Sequence, residues 1–103
     1  MSKTALERLV SWYASYCDGD WEHSYGVKIE TLDNPGWVVE IDLADTELES
    51  IRIEYSRQDR SETDWVGYKV VDWKFVGAGG VGNLEEIFEI FLKIAESAEK
   101  SVD

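Results

Sequence analysis

Seven consecutive residues, Cys17-Asp18-Gly19-Asp20-Trp21-Glu22-His23, hold the densest group of side chains able to do chemistry in this chain. Carboxylates at alternating positions suit a hard cation, which needs several oxygens converging from one short turn. The twelve-residue calcium loop, with its glycine at the sixth position and its terminal glutamate, is absent. The pattern therefore reads as a helix end followed by a turn whose carboxylates bond backbone donors. His23 is the one histidine and so the candidate for acid/base work. Cys17 would make a thiol nucleophile beside it, but no third group orients the pair. Cys17 also completes a helical apolar stripe, which predicts a buried structural thiol. No catalytic residue, metal ligand or cofactor is assigned. A small enzyme or metal-binding protein built on Asp18–His23 stands as the alternative to a binding protein.

Two further features invite a chemical reading. Gly77-Ala78-Gly79-Gly80-Val81-Gly82 precedes a helical pattern, as phosphate cradles do, but it lacks the Walker lysine and the G-x-G-x-x-G order. It reads instead as a flexible connector that lets the last helix fold back. Five tryptophans, Trp12, Trp21, Trp37, Trp65 and Trp73, are many for 103 residues, and most are expected in the core. Trp21 lies in a loop and Trp37 follows a turn, so these two are the expected exposed anchors.

The elements that must position these residues follow from periodicity. Leu6, Leu9, Val10, Tyr13, Tyr16 and Cys17 recur at helical spacing, and Thr4 with Glu7 has capping-box spacing, predicting a helix over 4–17. From Gly26 the period becomes alternating. Val27, Ile29 and Thr31, then Trp37, Val39, Ile41 and Leu43, predict a hairpin closed by a type II turn at Asn34-Pro35-Gly36. Ile51, Ile53 and Tyr55 give a third strand, and 56–63 reads as a loop. A fourth strand runs from about Trp65 to Val76, and its apolar set changes parity at Val70-Val71, which predicts a β-bulge or, as the alternative, a strand buried on both faces at its middle. Asn83 and Glu86 open a final helix whose stripe includes Leu84, Ile87, Phe88, Phe91 and Leu92. The expected fold is α+β: a four-stranded antiparallel meander with the N- and C-terminal helices on one face, in the order α-β-β-β-β-α. Leu9, Tyr13, Ile41, Ile53, Phe88 and Phe91 are the expected core. Val38, Glu40, Asp42, Arg52 and Glu54 are expected on the open face.

Composition narrows the function. At 103 residues and 44% hydrophobic, one domain spanning 1–103 with a real core is expected. One cysteine fits a reducing compartment, no apolar run approaches the roughly 18 residues of a membrane span, and a cytoplasmic location is expected. Ten bases against 22 acids give a net charge of −12, which argues against binding nucleic acid or an anionic membrane. The charge is concentrated: between Asp18 and Glu49 ten acids face a single base, Lys28. Sequence alone leaves the oligomeric state open.

Several of these segments form one pattern. Trp12-Tyr13, Cys17 through His23 and Tyr25-Gly26 open it, and Thr31-Leu32-Asp33-Asn34-Pro35-Gly36-Trp37 and Ile41-Asp42-Leu43 continue it. Asp64-Trp65, Phe75-Val76-Gly77-Ala78-Gly79-Gly80 and Asn83-Leu84-Glu85-Glu86-Ile87 complete it, with Val81 standing where the pattern has proline. The chain resembles the immunity protein 53 family over nearly its whole length. The resemblance implies a bacterial immunity protein of a polymorphic toxin system, which binds and neutralises a cognate toxin domain encoded by a neighbouring gene. It hands over no catalytic residue and no named toxin, and because the residues assemble no nucleophile, base and orienting group, no enzymatic activity and no cofactor are expected. Many such toxin domains are nucleases with basic clefts, which an acidic surface can occupy. On that reading the expected contact surface comprises Asp18, Asp20, Glu22, Glu40, Asp42, Asp45, Glu47 and Glu49, with Trp21 as anchor and Trp37 second.

Overall fold

A computed structural model describes residues 3–100, without the side chains of residues 99 and 100. Helix α1 (Ala5–Tyr16) begins with the capping box that Thr4 and Glu7 predict. The Glu7 N–H donates to Thr4 Oγ1 at 3.1 Å, and the Thr4 N–H donates to Glu7 Oε1 at 2.8 Å. Together they satisfy two backbone donors that the first turn leaves unpaired. A four-residue helix α2 (Trp21–Ser24) follows, then strands β1 (Val27–Leu32), β2 (Gly36–Asp42), β3 (Ile53–Asp59), β4 (Trp65–Val71) and β5 (Lys74–Gly79), and helix α3 (Leu84–Lys100). No helix among the described residues is long and apolar enough to cross a membrane.

The sheet is antiparallel, as expected, but it has five strands in the order β1-β2-β5-β4-β3 and is not a four-stranded meander. The predicted fourth strand is a hairpin. Asp72 and Trp73 form its two-residue turn at φ 53° and 63°, the left-handed backbone that type I′ hairpin loops require. The parity change read as a bulge is this turn. Val70 faces Phe75 across it, so Val66, Tyr68, Val70 and Phe75 all share the helix side of the sheet. Because β5 returns beside β2, the connection from β2 must cross the end of the sheet to reach β3 at the far edge. Strands β2 to β5 thus form a Greek key. A bulge does occur, in β3 between Ile53 and Ser56.

Gly77 and Gly79 lie in strand β5 and not in a flexible connector. A Cβ on Gly77 would come within 2.7 Å of Ile87 Cγ2, and one on Gly79 within 3.0 Å of the Asn83 side chain. These glycines let α3 lie close on the sheet. Gly36 likewise belongs to β2, where a Cβ would meet the Gly79 carbonyl oxygen. The expected type II turn does not form there, and the hairpin turn is made by residues 33–35.

The core joins Ala5 and Leu9 of α1, Ile87, Phe88, Phe91 and Leu92 of α3, and Val39, Ile41, Val66, Val70 and Phe75 of the sheet. Both terminal helices therefore use one face, as expected. Tyr13 and Ile53, expected in the core, are only half-buried. Arg8 of α1 bridges to Glu89 at 3.0 Å and to Glu96, tying α1 to α3. At the opposite end, Asn83 is buried and donates to both Asp64 and Glu86 at 2.9 Å. Arg60 bonds the same two carboxylates, holding both below the ordinary carboxylate range. Val38, Glu40 and Asp42 lie on the uncovered sheet face, beside Val76 and Lys74 of β5.

Candidate functional site

The Asp18–His23 turn is built by its own carboxylates. Asp18 Oδ1 accepts the backbone N–H groups of Asp20 and Trp21, both at 3.0 Å. Glu22 reaches back to accept those of Asp18 at 3.0 Å and Gly19 at 2.8 Å. Gly19 sits at φ 97°, which glycine adopts without strain. The Asp18 carboxyl is held below its usual range by the Trp21 and then the Asp20 N–H. Glu22 is held low by its own N–H first, then by those of Gly19 and Asp18. Asp20 and His23 are exposed. Among the described residues, no group of three or more His, Cys, Asp or Glu side chains could hold a metal ion. Cys17 is exposed and not buried as expected: it caps the end of α1, and its thiol donates to the Tyr13 carbonyl at 3.4 Å.

Trp21 does not project from the turn. It is only 6% exposed, and its indole N–H donates to the Ala44 carbonyl at 2.8 Å. Trp12, Tyr13, Tyr16 and Tyr25 surround the ring with centroids 5.8–6.2 Å away. The expectation of an exposed anchor fails because the loop makes a helical turn that folds the indole beneath itself. Trp37 is half-buried on the helix side of β2, and its indole N–H donates to the Val81 carbonyl at 2.9 Å. It lies at the opposite end of β2 from Asp42, about 17 Å away at the usual rise per strand residue. The fold does not bring Trp37 to the acidic residues.

The carboxylates themselves are brought closer. Glu22, Glu40 and Asp42 line one shallow concavity of about 390 Å³ together with His23, Lys28 and Lys74. Asp42 Oδ2 accepts the Gly26 N–H at 3.0 Å, and Lys74 Nζ lies 3.5 Å from Glu40 and 3.9 Å from Asp42. Beyond β2, the connection from Leu43 to Arg52 is locked from below by Leu48, which is 1% exposed. Asp45 sits at φ 60° and donates its N–H to Glu49 at 2.7 Å, while the Glu47 N–H donates to the Tyr16 hydroxyl at 3.3 Å. Asp45, Glu47 and Glu49 thus stand exposed on an ordered loop.

The tryptophan beside Glu49 is Trp73, which sequence reasoning placed within a strand. It is 62% exposed at the tip of the β4–β5 turn, and its carbonyl accepts the Leu43 N–H at 2.7 Å. With Asp72, Glu49 and Arg52 it lines a concavity of about 340 Å³. The signal was present in the sequence, because a parity change is also what a two-residue turn between paired strands produces.

A family model, immunity protein 53, matches residues 6–96. No curated protein and no solved structure matches the chain.

Proposed function

The chain belongs to the immunity protein 53 family, and from that premise we propose that it binds a cognate toxin domain and neutralises it by covering the active cleft. Family membership carries this reading. The concentration of ten acids against one base between Asp18 and Glu49 supports a partner with a basic cleft, the kind nucleases present to nucleic acid. We place the contact on Asp18, Asp20, Glu22, Glu40, Asp42, Asp45, Glu47 and Glu49. Trp73 replaces Trp21 as the anchor, since tight holding needs an aromatic ring available to be desolvated by the partner. Trp37, at the far end of β2, lies outside this surface.

Inhibition needs no chemistry from this chain. His23 is exposed on a short helix, and among the described residues no side chain hydrogen-bonds its imidazole to orient it, so His23→Ala should fold normally and still protect. The direct experiment is co-expression with the product of the neighbouring toxin gene. Co-purification as a stoichiometric complex, with toxin activity abolished in vitro, is the expected result. A chain that neither binds that toxin nor reduces its activity would overturn the reading, and so would a His23→Ala variant that binds the toxin but no longer protects.

A further inference from the structure

Strand β1 is an edge of the sheet, with neither a bulge nor a proline to interrupt it. Lys28, Ile29, Glu30 and Thr31 are all exposed along it. Beside it on the helix side, Leu6 and Val10 of α1 are 53% and 56% exposed, and Ile29 is 41% exposed. These three side chains line one groove of about 320 Å³ between α1 and β1. Leu6 and Val10 belong to the amphipathic stripe of α1, of which the chain buries Leu9 and leaves these two uncovered. The opposite edge, β3, is guarded differently. Its pairing is broken by the bulge between Ile53 and Ser56. β1 has an unbroken six-residue register with β2.

We propose that two copies of this chain associate through antiparallel pairing of their β1 edges, joining the two sheets into one. The backbone specifies the register. The Asp42 N–H donates to the Gly26 carbonyl at 3.0 Å, so even-numbered residues of β1 turn their backbone groups toward β2. Val27, Ile29 and Thr31 therefore turn theirs outward. A two-fold axis at Ile29 pairs Ile29 with Ile29 of the second copy, and Val27 with Thr31 of the second copy. All three outward residues then exchange backbone hydrogen bonds.

The charges select the same register. It sets Lys28 opposite Glu30 of the second copy, and Glu30 opposite Lys28, in the closely spaced non-hydrogen-bonded pairs. Sliding the strands by one step to either side would set Lys28 against Lys28, or Glu30 against Glu30. Lys28 is the only base between Asp18 and Glu49, so it makes this edge a locally neutral place on an acidic half of the molecule. On the helix side, the same axis turns Leu6, Val10 and Ile29 of one copy toward those of the other, covering apolar surface that a single chain exposes. The interface is isologous and closed, which ends association at a dimer. It uses none of the proposed toxin-contact residues, although Lys28 shares a concavity with Glu22, Glu40 and Asp42, and the toxin-free measurement below keeps it separate from the proposed inhibition.

Sedimentation equilibrium of the full chain at low salt, without toxin, is the test. The wild type should show twice the chain mass. Lys28→Glu and Glu30→Lys each turn two symmetry-related attractive pairs into repulsive ones and should raise the dimer Kd at least about tenfold. The double variant Lys28→Glu/Glu30→Lys restores opposite charges in the same register and should recover the dimer. Far-UV circular dichroism keeps loss of fold distinct from loss of association. A monomeric wild type at concentrations that saturate a micromolar complex would overturn the proposal. A dimer indifferent to both single reversals would do the same, as would a folded double variant that stays dissociated.

Discussion

Trp73 offers a test in which an ordinary stability rule should change sign. At most positions alanine is more stable than glycine, because glycine loses more backbone entropy on folding, by roughly 0.4–1 kcal/mol. Trp73 sits at φ 63°, where the Cβ of any L-residue costs roughly 1–2 kcal/mol and glycine escapes that cost. Trp73→Gly and Trp73→Ala delete the same ring and forfeit the same contacts, so their difference isolates the backbone term. Glycine should win by about 0.5–1 kcal/mol, which is roughly 2–8 °C in Tm for a chain this short. Urea unfolding with matched m-values is the assay. Gly82→Ala is the control: its φ is outside the left-handed region and nothing lies near an added Cβ, so alanine should be the more stable there. If Trp73→Ala matches or exceeds Trp73→Gly, the turn assignment is wrong. Both Trp73 variants should also release the toxin faster and to the same degree. Unchanged dissociation would remove Trp73 from the contact while leaving the turn assignment intact.

Trp21→Phe keeps a ring in the aromatic cluster but strips the Ala44 carbonyl of its donor, and should destabilise by about 1–3 kcal/mol in urea. A neutral Trp21→Phe would contradict the burial of that indole. Reversing Asp42, Asp45, Glu47 and Glu49 to lysine should slow toxin association strongly at low salt and weakly at high salt, read by stopped-flow mixing. A folded four-lysine variant with unchanged association would move the contact to the helices. The Asp18 carboxyl titrates below its usual value in the folded chain, so its stabilisation is complete above the unfolded-state pKa and disappears as pH falls through the folded one. The gap in urea midpoint between wild type and Asp18→Ala should therefore be widest at neutral pH and begin to close below about pH 5. Working with that difference cancels the opposite trend from relieving the net −12 charge, and a gap independent of pH would refute the role of the Asp18 charge.

What the sequence disclosed was local. The Thr4–Glu7 box, the α1 and α3 stripes and the β1–β2 hairpin depend on residues a few positions apart, and each is present. The β4–β5 hairpin was hidden because Asp72-Trp73 lacks the Asn-Gly or Asp-Gly chemistry that marks such turns, so its parity change imitated a bulge. Gly77 and Gly79 were misread because their reason is tertiary: Ile87 and Asn83 approach them from a helix that follows later in the chain. At the candidate site, residue types were legible and exposure was not. Nothing near Trp21 announces that Ala44, 23 residues later, will accept its indole proton. The exposed tryptophan belonged to a segment read as continuous strand.

The acidic surface differs from a merely solvating one in how its charges are held. Asp18, Glu22, Asp42 and Glu49 each accept a backbone N–H, which fixes the carboxylates in place before any partner arrives. Side chains already ordered lose little entropy on binding, so such a surface can face a basic cleft at lower cost than mobile acids could. The field is not uniform. Lys74 lies within 4 Å of both Glu40 and Asp42 and offsets part of their charge, whereas no base pairs with Asp45, Glu47 or Glu49 in a described ion pair. Glu49 and Asp72 line one concavity with Trp73, beside Arg52, so the acidic loop that follows β2 and the exposed ring meet at one end of the sheet. On the proposed reading, long-range attraction would deliver a basic partner to the same place where an aromatic ring can be desolvated. In that arrangement charge sets the rate of arrival and the ring sets the time of stay, two quantities that the lysine reversals and the Trp73 variants change separately.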